Sequence, residues 1–326
     1  MHYDVFNGDA DGIIALLQLY FAEPERLERP TQLVSGVKRD VKLLSQVGER
    51  GDATSVTVLD ISMQRNRLAL DALLQQNVAV FYCDHHQSGD IPDSPHLTSL
   101  INLDAETCTS LLINQHLKGQ FQTWAISGAF GDNMTKRALA LSKQSQLSES
   151  QIAFLNELGT LINYNGYGAS LDDLHIPPIE LFNQLLAYPD PFVLQQEPDS
   201  IFYQLQTGFA EDSSHLKTMQ SYQDESWGLI YLLPSQAWAR RISGVFGNQL
   251  ANDFPDKAIA VVTLDESEQT YTISVRAPLN HREGADEVCS QFPNGGGRRA
   301  AAGINRLPVE LLDLFIQRFK SQFCQS

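Results

Sequence analysis

The N-terminal part of the chain alternates short apolar segments with stretches of helical spacing, and this alternation limits the fold more than any other feature. The apolar segments Tyr3–Phe6, Val56–Leu59 and Val78–Cys83 have the length of strands buried on both faces. Helical spacing follows in Ile13–Phe21 and Arg67–Gln75. Strands that alternate with helices form right-handed crossovers in a mostly parallel sheet. The sequence therefore predicts an α/β fold whose parallel sheet is flanked by helices.

Further elements fit the same pattern. Thr31–Ser35 is predicted to be a strand, and Val37–Val47 is predicted to be the helix that connects it to the next strand. Ser148 and Gln151 have the spacing of a capping box, which predicts a helix from Glu149 to about Tyr164.

Acidic and histidine side chains follow three of the predicted strands. The carboxyl ends of parallel strands lie at one edge of a sheet, where the reactive groups of open α/β folds collect. Converging carboxylates repel one another unless a cation or a proton lies among them. Oxygen and imidazole ligands together suit Mn²⁺, Mg²⁺ or Zn²⁺. The sequence therefore predicts a metal site made of Asp9 and Asp11 after the first strand, Asp60 after Val56–Leu59, and Asp84, His85 and His86 after Val78–Cys83.

Three other stretches have both a structural and a functional interpretation. Thr109 or Ser110 is expected to cap the helix that follows, although a helix N-terminus is also able to hold phosphate. Asp132 lies in Gly-Asp-Asn, which by itself is an ordinary loop. The stretch Asn163–Gly168 either ends a helix or lines a site with its amides and rings.

Length and charge limit the partners. With 326 residues the chain has room for about two domains. Its net charge of -16 argues against binding a long nucleic acid, which calls for a basic face. A short anionic ligand held by a local cationic pocket or by metal stays compatible with this charge.

The cysteines and apolar runs bear on location. Four scattered cysteines form no C-x-x-C pair, which predicts reduced thiols rather than a zinc knuckle or a disulfide framework. A leader peptide is not expected because Asp4 and Asp9 come too early. No apolar run approaches the roughly 20 residues of a membrane helix. We therefore expect a soluble, cytoplasmic protein with no membrane partner.

A change of composition marks the domain boundary. The segment Tyr188–Ser200 contains three prolines, so we expect a first domain over residues 1–190, a linker and bridging helix over 191–225, and a second domain over 226–326. In the second domain, strands and helices are predicted for Leu229–Leu233, Ala239–Leu250, Ala258–Leu264, Tyr271–Arg276 and Val309–Gln322. This predicts a smaller α/β domain.

A glycine-arginine segment carries the chemistry of the second domain. Gly295, Gly296 and Gly297 run directly into Arg298 and Arg299. Three glycines let backbone amides approach an anion, and two arginines supply charged donors at the start of a predicted helical turn of small residues. The sequence predicts either a flexible loop or a clamp for phosphate or carboxylate. The clamp would include Arg276, at the end of a strand.

The ordered set of motifs resembles the DHH phosphoesterase superfamily. The matching segments are Asn7–Gly12, Asp60, Asp84-His85-His86 and Gly131-Asp132, while Gly295–Gly303 resembles the DHH-associated C-terminal domain. The superfamily includes RecJ-like exonucleases, oligoribonucleases, phosphoadenosine-phosphate phosphatases, cyclic-dinucleotide phosphodiesterases and pyro- or polyphosphatases. The resemblance implies two divalent metal ions, usually Mn²⁺, with Mg²⁺ or Co²⁺ as alternatives.

The resemblance also implies a role for each residue. Asp9 would bind one metal, Asp60 would bridge the two, and the second would be bound by Asp11, His85 and Asp132. Asp84 would orient the imidazoles, and His86 would contact the scissile phosphate or assist the leaving oxygen. From the second domain, across a cleft, the substrate would be held by Gly295, Gly296, Gly297, Arg276, Arg298 and Arg299.

Two positions depart from the pattern of the superfamily. Many relatives have a histidine or aspartate just before the Asp-x-Asp motif, whereas this chain has Asn7, a weaker, neutral ligand. The residue after the three glycines is typically histidine and is Arg298 here. Arginine offers a fixed fork of donors, which favours a terminal phosphate or a guanine edge.

We therefore expect a metal-dependent phosphodiesterase that cleaves short linear oligonucleotides to mononucleotides. Dinucleotides are favoured, with 5′-phosphorylated diguanylate, a product of cyclic-di-GMP turnover, as the example. One alternative is a phosphatase acting on phosphoadenosine phosphate, pyrophosphate or short polyphosphate, and another is a nucleotide sensor without catalysis. The oligomeric state is left open, with a homodimer as one option.

Overall fold

A computed structural model describes residues 1–48, 51–104, 106–267 and 269–324. The chain forms two compact units, Met1–Thr207 and Gly208–Ser326. The division lies within helix α9 (Ile201–Leu216), inside the segment 191–225 that was predicted to hold a linker and a bridging helix.

The first unit is built on a parallel sheet. Its strands are β1 His2–Phe6, β2 Thr31–Val34, β3 Ser55–Leu59, β4 Ala79–Asp84 and β5 Leu97–Ile101. Their spatial order is β2-β1-β3-β4-β5, and every neighbouring pair is parallel. The predicted α/β fold with a parallel sheet is thereby confirmed. The sequence did not predict β5, because its side chains are half-buried or exposed and lack an apolar run.

Helices lie between the first four strands in chain order and continue after β5. They are α1 Ala10–Ala22, α2 Ser45–Gly48, α3 Arg67–Gln75, α4 Thr109–His116, α5 Gln122–Gly131, α6 Thr135–Gln144, α7 Glu149–Asn165 and α8 Pro178–Leu185, followed by α9. The predicted capping box of α7 is confirmed, since the Ser148 side chain accepts from the Gln151 N–H and the Gln151 side chain accepts from the Ser148 N–H.

The predicted helix Val37–Val47 is wrong for most of its length. Only its end belongs to α2, and the residues before it form turns. Polar groups draw their backbone bonds away from a helical ladder: the Asp40 carboxylate accepts from the Val37 N–H at 3.1 Å, and the Lys38 N–H donates to the Gly166 carbonyl at 2.8 Å. This turn places a lysine near the carboxyl edge of the sheet.

The second unit contains a mixed sheet. Its strands are β6 Gln223–Asp224, β7 Gly228–Leu233, β8 Ala258–Leu264, β9 Thr270–Arg276, β10 Gly295–Gly297 and β11 Ala301–Pro308, in the order β10-β11-β9-β8-β7-β6. Only β7 and β8 pair in parallel. The helices are α10 Ala237–Asp253, α11 Ala285–Cys289 and α12 Leu312–Phe323. Apolar side chains of the sheet pack against Phe315, Phe319 and Phe323 of α12 to form the core of this unit.

The glycine-arginine segment is a β-hairpin and not the helical turn that the sequence predicted. Arg298 and Ala301 exchange two backbone hydrogen bonds, at 2.8 and 3.1 Å. Burial then alternates along β11, where Ala302 and Ile304 face the core. The small residues therefore pair as a strand because the edge of β9 is available to them.

In the described part of the chain, no helix is both long enough and apolar enough to cross a membrane.

Candidate metal centre

Asp9 lies in the turn between β1 and α1, where it is the N-cap of the helix. Its Oδ1 accepts from the N–H groups of Asp11 and Gly12 at 3.0 and 3.1 Å, which satisfies two amides at the start of α1. The carboxylate is buried. Burial alone would raise the pKa of Asp9, but the charge and hydrogen bond of Lys38 lower it below the usual value.

Asp11 joins the start of α1 to the start of α4. Its Oδ2 accepts from the Thr109 N–H at 2.7 Å, and its Oδ1 accepts from the Ser110 N–H at 2.8 Å. The N-cap position of α4 is Cys108, so the expectation that Thr109 or Ser110 caps this helix is wrong. The Asp11 carboxylate, from a distant part of the chain, accepts from the N-terminal amides of α4 instead. It occupies the position for which a phosphate was the alternative ligand.

Asp60 follows β3 in a left-handed backbone conformation, with φ of 59°. Few residues other than glycine adopt it, and such positions cluster at functional sites. Asp60 is buried, and its Oδ1 accepts from the Thr109 hydroxyl at 3.1 Å. Burial and the charges of Asp9 and Asp11 raise the pKa of Asp60 well above its usual value. Its carboxylate therefore favours a cation or a proton nearby.

The residues Asp84, His85 and His86 occupy the end of β4. Asp84 is buried, and its Oδ1 accepts from His86 Nδ1 at 2.7 Å. Burial by itself would lower the pKa of His86, but the hydrogen bond and the charge of Asp84 raise it above the usual value. The imidazole of His86 is thus oriented by Asp84 and is partly exposed.

His85 is the centre of the cluster. Its Nδ1 lies 2.9 Å from the Thr107 carbonyl oxygen, so Nδ1 carries a proton and the lone pair of the neutral ring lies on Nε2. Nε2 lies 3.4 Å from Asp60 Oδ1, 3.7 Å from Asp11 Oδ2 and 3.9 Å from Asp132 Oδ2. A lone pair that faces carboxylate oxygens in a buried place is repelled unless a cation or a proton lies between them. One imidazole and three carboxylates form a donor set that fits a divalent cation such as Mn²⁺ or Mg²⁺.

His86 offers a second imidazole to a cation at this site. Atoms of Asp60, His85 and His86 lie within 4.8 Å of one another, close enough to share one ion. The structure therefore brings together all seven residues of the predicted metal and catalytic set, namely Asp9, Asp11, Asp60, Asp84, His85, His86 and Asp132. Their individual roles stay predictions.

Lys38, which no sequence pattern singled out, contacts two of these carboxylates. Its Nζ lies 2.5 Å from Asp9 Oδ2 and 3.9 Å from Asp132 Oδ1. It also donates to Asn163 Oδ1 at 2.9 Å and lies 5.4 Å from the centre of the Tyr167 ring. Helix α7 ends within Asn163–Gly168, with Gly166 at its C-cap, so the prediction that this stretch ends a helix is confirmed; Asn163 and Tyr167 also contact Lys38 at the site. Because Val37–Val47 was predicted to be a connecting helix, Lys38 was not expected to lie at the site.

In the second unit, the predicted substrate residues lie on β9, on β10 and in the turn between β10 and β11. Arg276 pairs with Ala301 across β9 and β11, and its Nε donates to Asn248 Oδ1 at 2.7 Å. Arg299 is largely exposed, and its guanidinium lies 3.1 Å from Glu283 Oε1. The arginines of the hairpin and Arg276 therefore belong to one end of this sheet.

Packing explains two of the three glycines. A Cβ atom on Gly295 would lie 1.9 Å from the Cys289 carbonyl oxygen. Gly297 has φ of +151°, and a Cβ there would lie 2.4 Å from Ala302 Cα. The hairpin needs glycine at both positions whether or not its amides bind an anion.

Comparison with solved structures identifies the fold. Exonuclease RecJ bound to manganese matches with a TM-score of 0.61 and 16% identity, over 100% of this chain and 90% of that chain. The DHH domain of a member of the s1p family of ribosomal proteins matches with a TM-score of 0.63 and 13% identity, over 98% of this chain and 85% of that chain. The chain has the DHH-domain fold.

A third structure with this fold has nearly the same extent. A pGpG-specific phosphodiesterase, PggH from Vibrio cholerae, matches with a TM-score of 0.53 and 13% identity, over 100% of this chain and 99% of that chain. No family model matches the sequence, and no curated protein does either. The DHH-domain fold is therefore evident from the structure, while the sequence has diverged far from these proteins.

Proposed function

We propose that the chain is a metal-dependent phosphodiesterase that hydrolyses short linear oligonucleotides to mononucleotides. The observation that carries this proposal is the position of His85 Nε2, within 3.4–3.9 Å of oxygens from Asp60, Asp11 and Asp132. RecJ, a nuclease of the same fold, was solved with manganese, which supports Mn²⁺ as the cation.

His85, Asp11, Asp60 and Asp132 would hold the cation. When bound, a divalent cation lowers the pKa of water to make a nucleophile and neutralises charge on a phosphate. The chain's own groups pre-organise this site: backbone amides of α4 hold Asp11, and the Thr107 carbonyl fixes the ring of His85. The family resemblance also implies a second metal at Asp9, and the Lys38 ammonium lies against that carboxylate.

His86 is the residue we assign to the scissile phosphate. Asp84 holds Nδ1 of its ring at 2.7 Å, which leaves Nε2 to donate to a phosphate oxygen or to the leaving oxygen. The raised pKa favours the protonated ring, whose hydrogen bond to an anion is charge-assisted. Asp84 acts through His86 as a positioning residue.

Charge and chain extent support a short substrate. The net charge of -16 repels a long polyanion outside the immediate site. PggH, a pGpG-specific phosphodiesterase, has the same fold over almost the same length. We infer that dinucleotides such as 5′-phosphorylated diguanylate are preferred, with Arg276, Arg298 and Arg299 and the amides of Gly295–Gly297 holding the part of the substrate that does not react. The four free cysteines support a location in the cytoplasm.

A length series tests this function. Purified protein with Mn²⁺ is incubated with RNAs of two, three and ten nucleotides, and mononucleotide release is measured. We expect the dinucleotide to be cleaved fastest, and faster cleavage of the ten-mer would contradict the length argument. Release of inorganic phosphate from phosphoadenosine phosphate or pyrophosphate, without cleavage of any RNA, would overturn the proposed function.

A further inference from the structure

The Asp9 carboxylate already has partners on both of its oxygens. Oδ1 accepts from two backbone amides at the start of α1, at 3.0 and 3.1 Å. Oδ2 lies 2.5 Å from the Lys38 ammonium, which also donates to Asn163 Oδ1 at 2.9 Å. The oxygen that would face a metal ion at this position therefore faces an ammonium group.

The position of Lys38 is fixed by its backbone and does not depend on the side-chain contact alone. Its N–H donates to the Gly166 carbonyl at 2.8 Å, and its carbonyl accepts from Asn7 Nδ2 at 3.3 Å. The turn is closed by Asp40, whose carboxylate accepts from the Val37 N–H and whose own N–H donates to the Val37 carbonyl. Lys38 thus starts from an anchored backbone, which lowers the entropy cost of placing the ammonium at Asp9.

Close approach of three backbone segments brings the turn to Asp9. A Cβ on Gly8 would lie 1.9 Å from the Gly36 carbonyl oxygen, and one on Gly36 would lie 2.3 Å from Asp40 Oδ2. On the other side, a Cβ on Gly166 would lie 2.9 Å from the Gly8 carbonyl oxygen and 3.1 Å from Asp9 Cα. Each of these glycines removes a side chain that would hold the segments apart, so the packing is specific for this arrangement.

The environment keeps the lysine charged. Nζ lies 2.5 Å from Asp9 Oδ2 and 3.9 Å from Asp132 Oδ1, and these two carboxylates favour the charged ammonium. The Tyr167 ring, 5.4 Å from Nζ, adds a cation–π contact. A permanent positive charge therefore lies between the Asp9 and Asp132 carboxylates.

The residue that precedes the Asp-x-Asp segment is a poor metal ligand. Asn7 precedes the Asp-x-Asp segment and offers a neutral amide oxygen, while its Nδ2 is committed to the Lys38 carbonyl. At His85 the situation is the reverse, because an imidazole lone pair faces three carboxylate oxygens. The two halves of the centre thus differ in kind: one presents ligands for a cation, and the other contains a cation of its own.

We propose that the Lys38 ammonium takes the place of one of the two metal ions, so that the chain binds a single divalent cation, at His85. This inference rests on the proposed function for the identity of the site. It changes the number of metal ions at that site from two to one. The lysine supplies a positive charge beside Asp9 that, unlike a metal ion, cannot dissociate. Lys38 is a residue for which neither the sequence pattern nor the resemblance provided a role.

Counting bound manganese tests the inference without reference to activity. Metal-free protein is loaded with Mn²⁺ and desalted, the metal is counted by elemental analysis, and the electron paramagnetic resonance spectrum is recorded. We expect one Mn²⁺ per chain with the spectrum of an isolated ion. For Lys38→Met and Lys38→Gln we expect a second Mn²⁺ to bind at Asp9 and the spectrum to show two coupled ions. Exposed Lys42 is the matched control, and Lys42→Met should bind one.

The outcomes separate the inference from the function on which it rests. Two coupled Mn²⁺ ions in the unaltered chain would overturn the inference and leave the proposed phosphodiesterase standing. A single ion in both folded Lys38 variants would also overturn it, because the lysine would then not be what excludes the second ion. No bound Mn²⁺ in the unaltered chain would overturn the function and the inference together. Lys38→Arg, which keeps the charge, should bind one ion as the unaltered chain does.

Discussion

The Asp11 carboxylate accepts a hydrogen bond at 2.8 Å from the backbone N–H of Ser110, a residue at the start of a different helix. This bond ties the turn after β1 to the segment after β5, so the ligands around His85 are held by backbone groups of two separate elements. A site held in this way keeps its geometry before a cation or a substrate binds. Its electrostatic balance then depends on the neighbouring charges.

The Lys38–Asp9 pair should contribute to stability in the metal-free protein. Lys38→Met leaves the buried Asp9 carboxylate without its cation and is expected to cost about 3 kcal/mol in free energy of unfolding. In the double variant with Asp9→Asn the two losses should not add, and the coupling should be about 1–3 kcal/mol. Urea unfolding with a chelator present measures all four proteins. Strict additivity would show that the two groups do not interact.

The turn that carries Lys38 should depend on glycine at position 8. Gly8→Ala places a Cβ 1.9 Å from the Gly36 carbonyl oxygen and is expected to cost about 1–3 kcal/mol, since backbone must move. Gly48→Ala is the matched control, because a Cβ there meets nothing within 4 Å and the change should stay within about 0.5 kcal/mol. Thermal unfolding compares the two. Equal stability of both variants would contradict the close packing around Asp9.

The buried charges around Asp4, in the middle of β1, should make the free energy of unfolding depend on pH. Burial alone would raise the pKa of Asp4, but the hydrogen bond and charge of His2, with Tyr20 and Arg26, lower it. A lowered pKa adds stability above the unfolded value near about 3.9, and this is lost as the pH falls through the folded value. Asp4→Asn should therefore be about 2 kcal/mol less stable at pH 7. The difference should narrow below about pH 4.

Urea unfolding of both proteins from pH 7 to pH 2.5 measures this difference. A constant difference over the whole range would show that ionised Asp4 is not the stabilising form.

The sequence predicted the sheet edge well, because that part depends on a local pattern. Asp60 and Asp84 each lie at the end of an apolar strand, so their convergence followed from the fold class alone. Lys38 could not be predicted in this way, since its position depends on a bond to Gly166 that links distant parts of the chain. The pattern at Val37–Val47 suggested a helix, and tertiary hydrogen bonds outweighed that weak local preference.

Tertiary contacts also decided the structure of the glycine-arginine segment. Its small residues are compatible with either a helical turn or a strand, and pairing with β9 decided between them. The same contacts explain why Gly295 and Gly297 are glycines. Close packing alone therefore explains these two glycines, and their presence in a glycine-rich motif does not by itself indicate a ligand.

Arg299 should affect substrate binding and leave the fold intact. Its ion pair with Glu283 is exposed, so Arg299→Ala should change stability by less than about 0.5 kcal/mol. Loss of a charge-assisted bond to phosphate is expected to raise KM for a dinucleotide by about tenfold, with kcat little changed. Initial rates over a range of substrate concentrations measure this, and Arg318→Ala, on the exposed face of α12, is the control. An unchanged KM would remove Arg299 from the substrate site.

The measurement that most directly tests the central claim is hydrolysis of 5′-phosphorylated diguanylate by the unaltered chain and by His85→Ala, with Mn²⁺ and with a chelator. We expect the unaltered chain to release GMP only when Mn²⁺ is present, and His85→Ala to be slower by a factor of about a hundred or more. His281→Ala, a change of an exposed histidine in the second unit, should match the unaltered chain. Undiminished hydrolysis by His85→Ala, or hydrolysis that persists with the chelator, would contradict the assignment of this site.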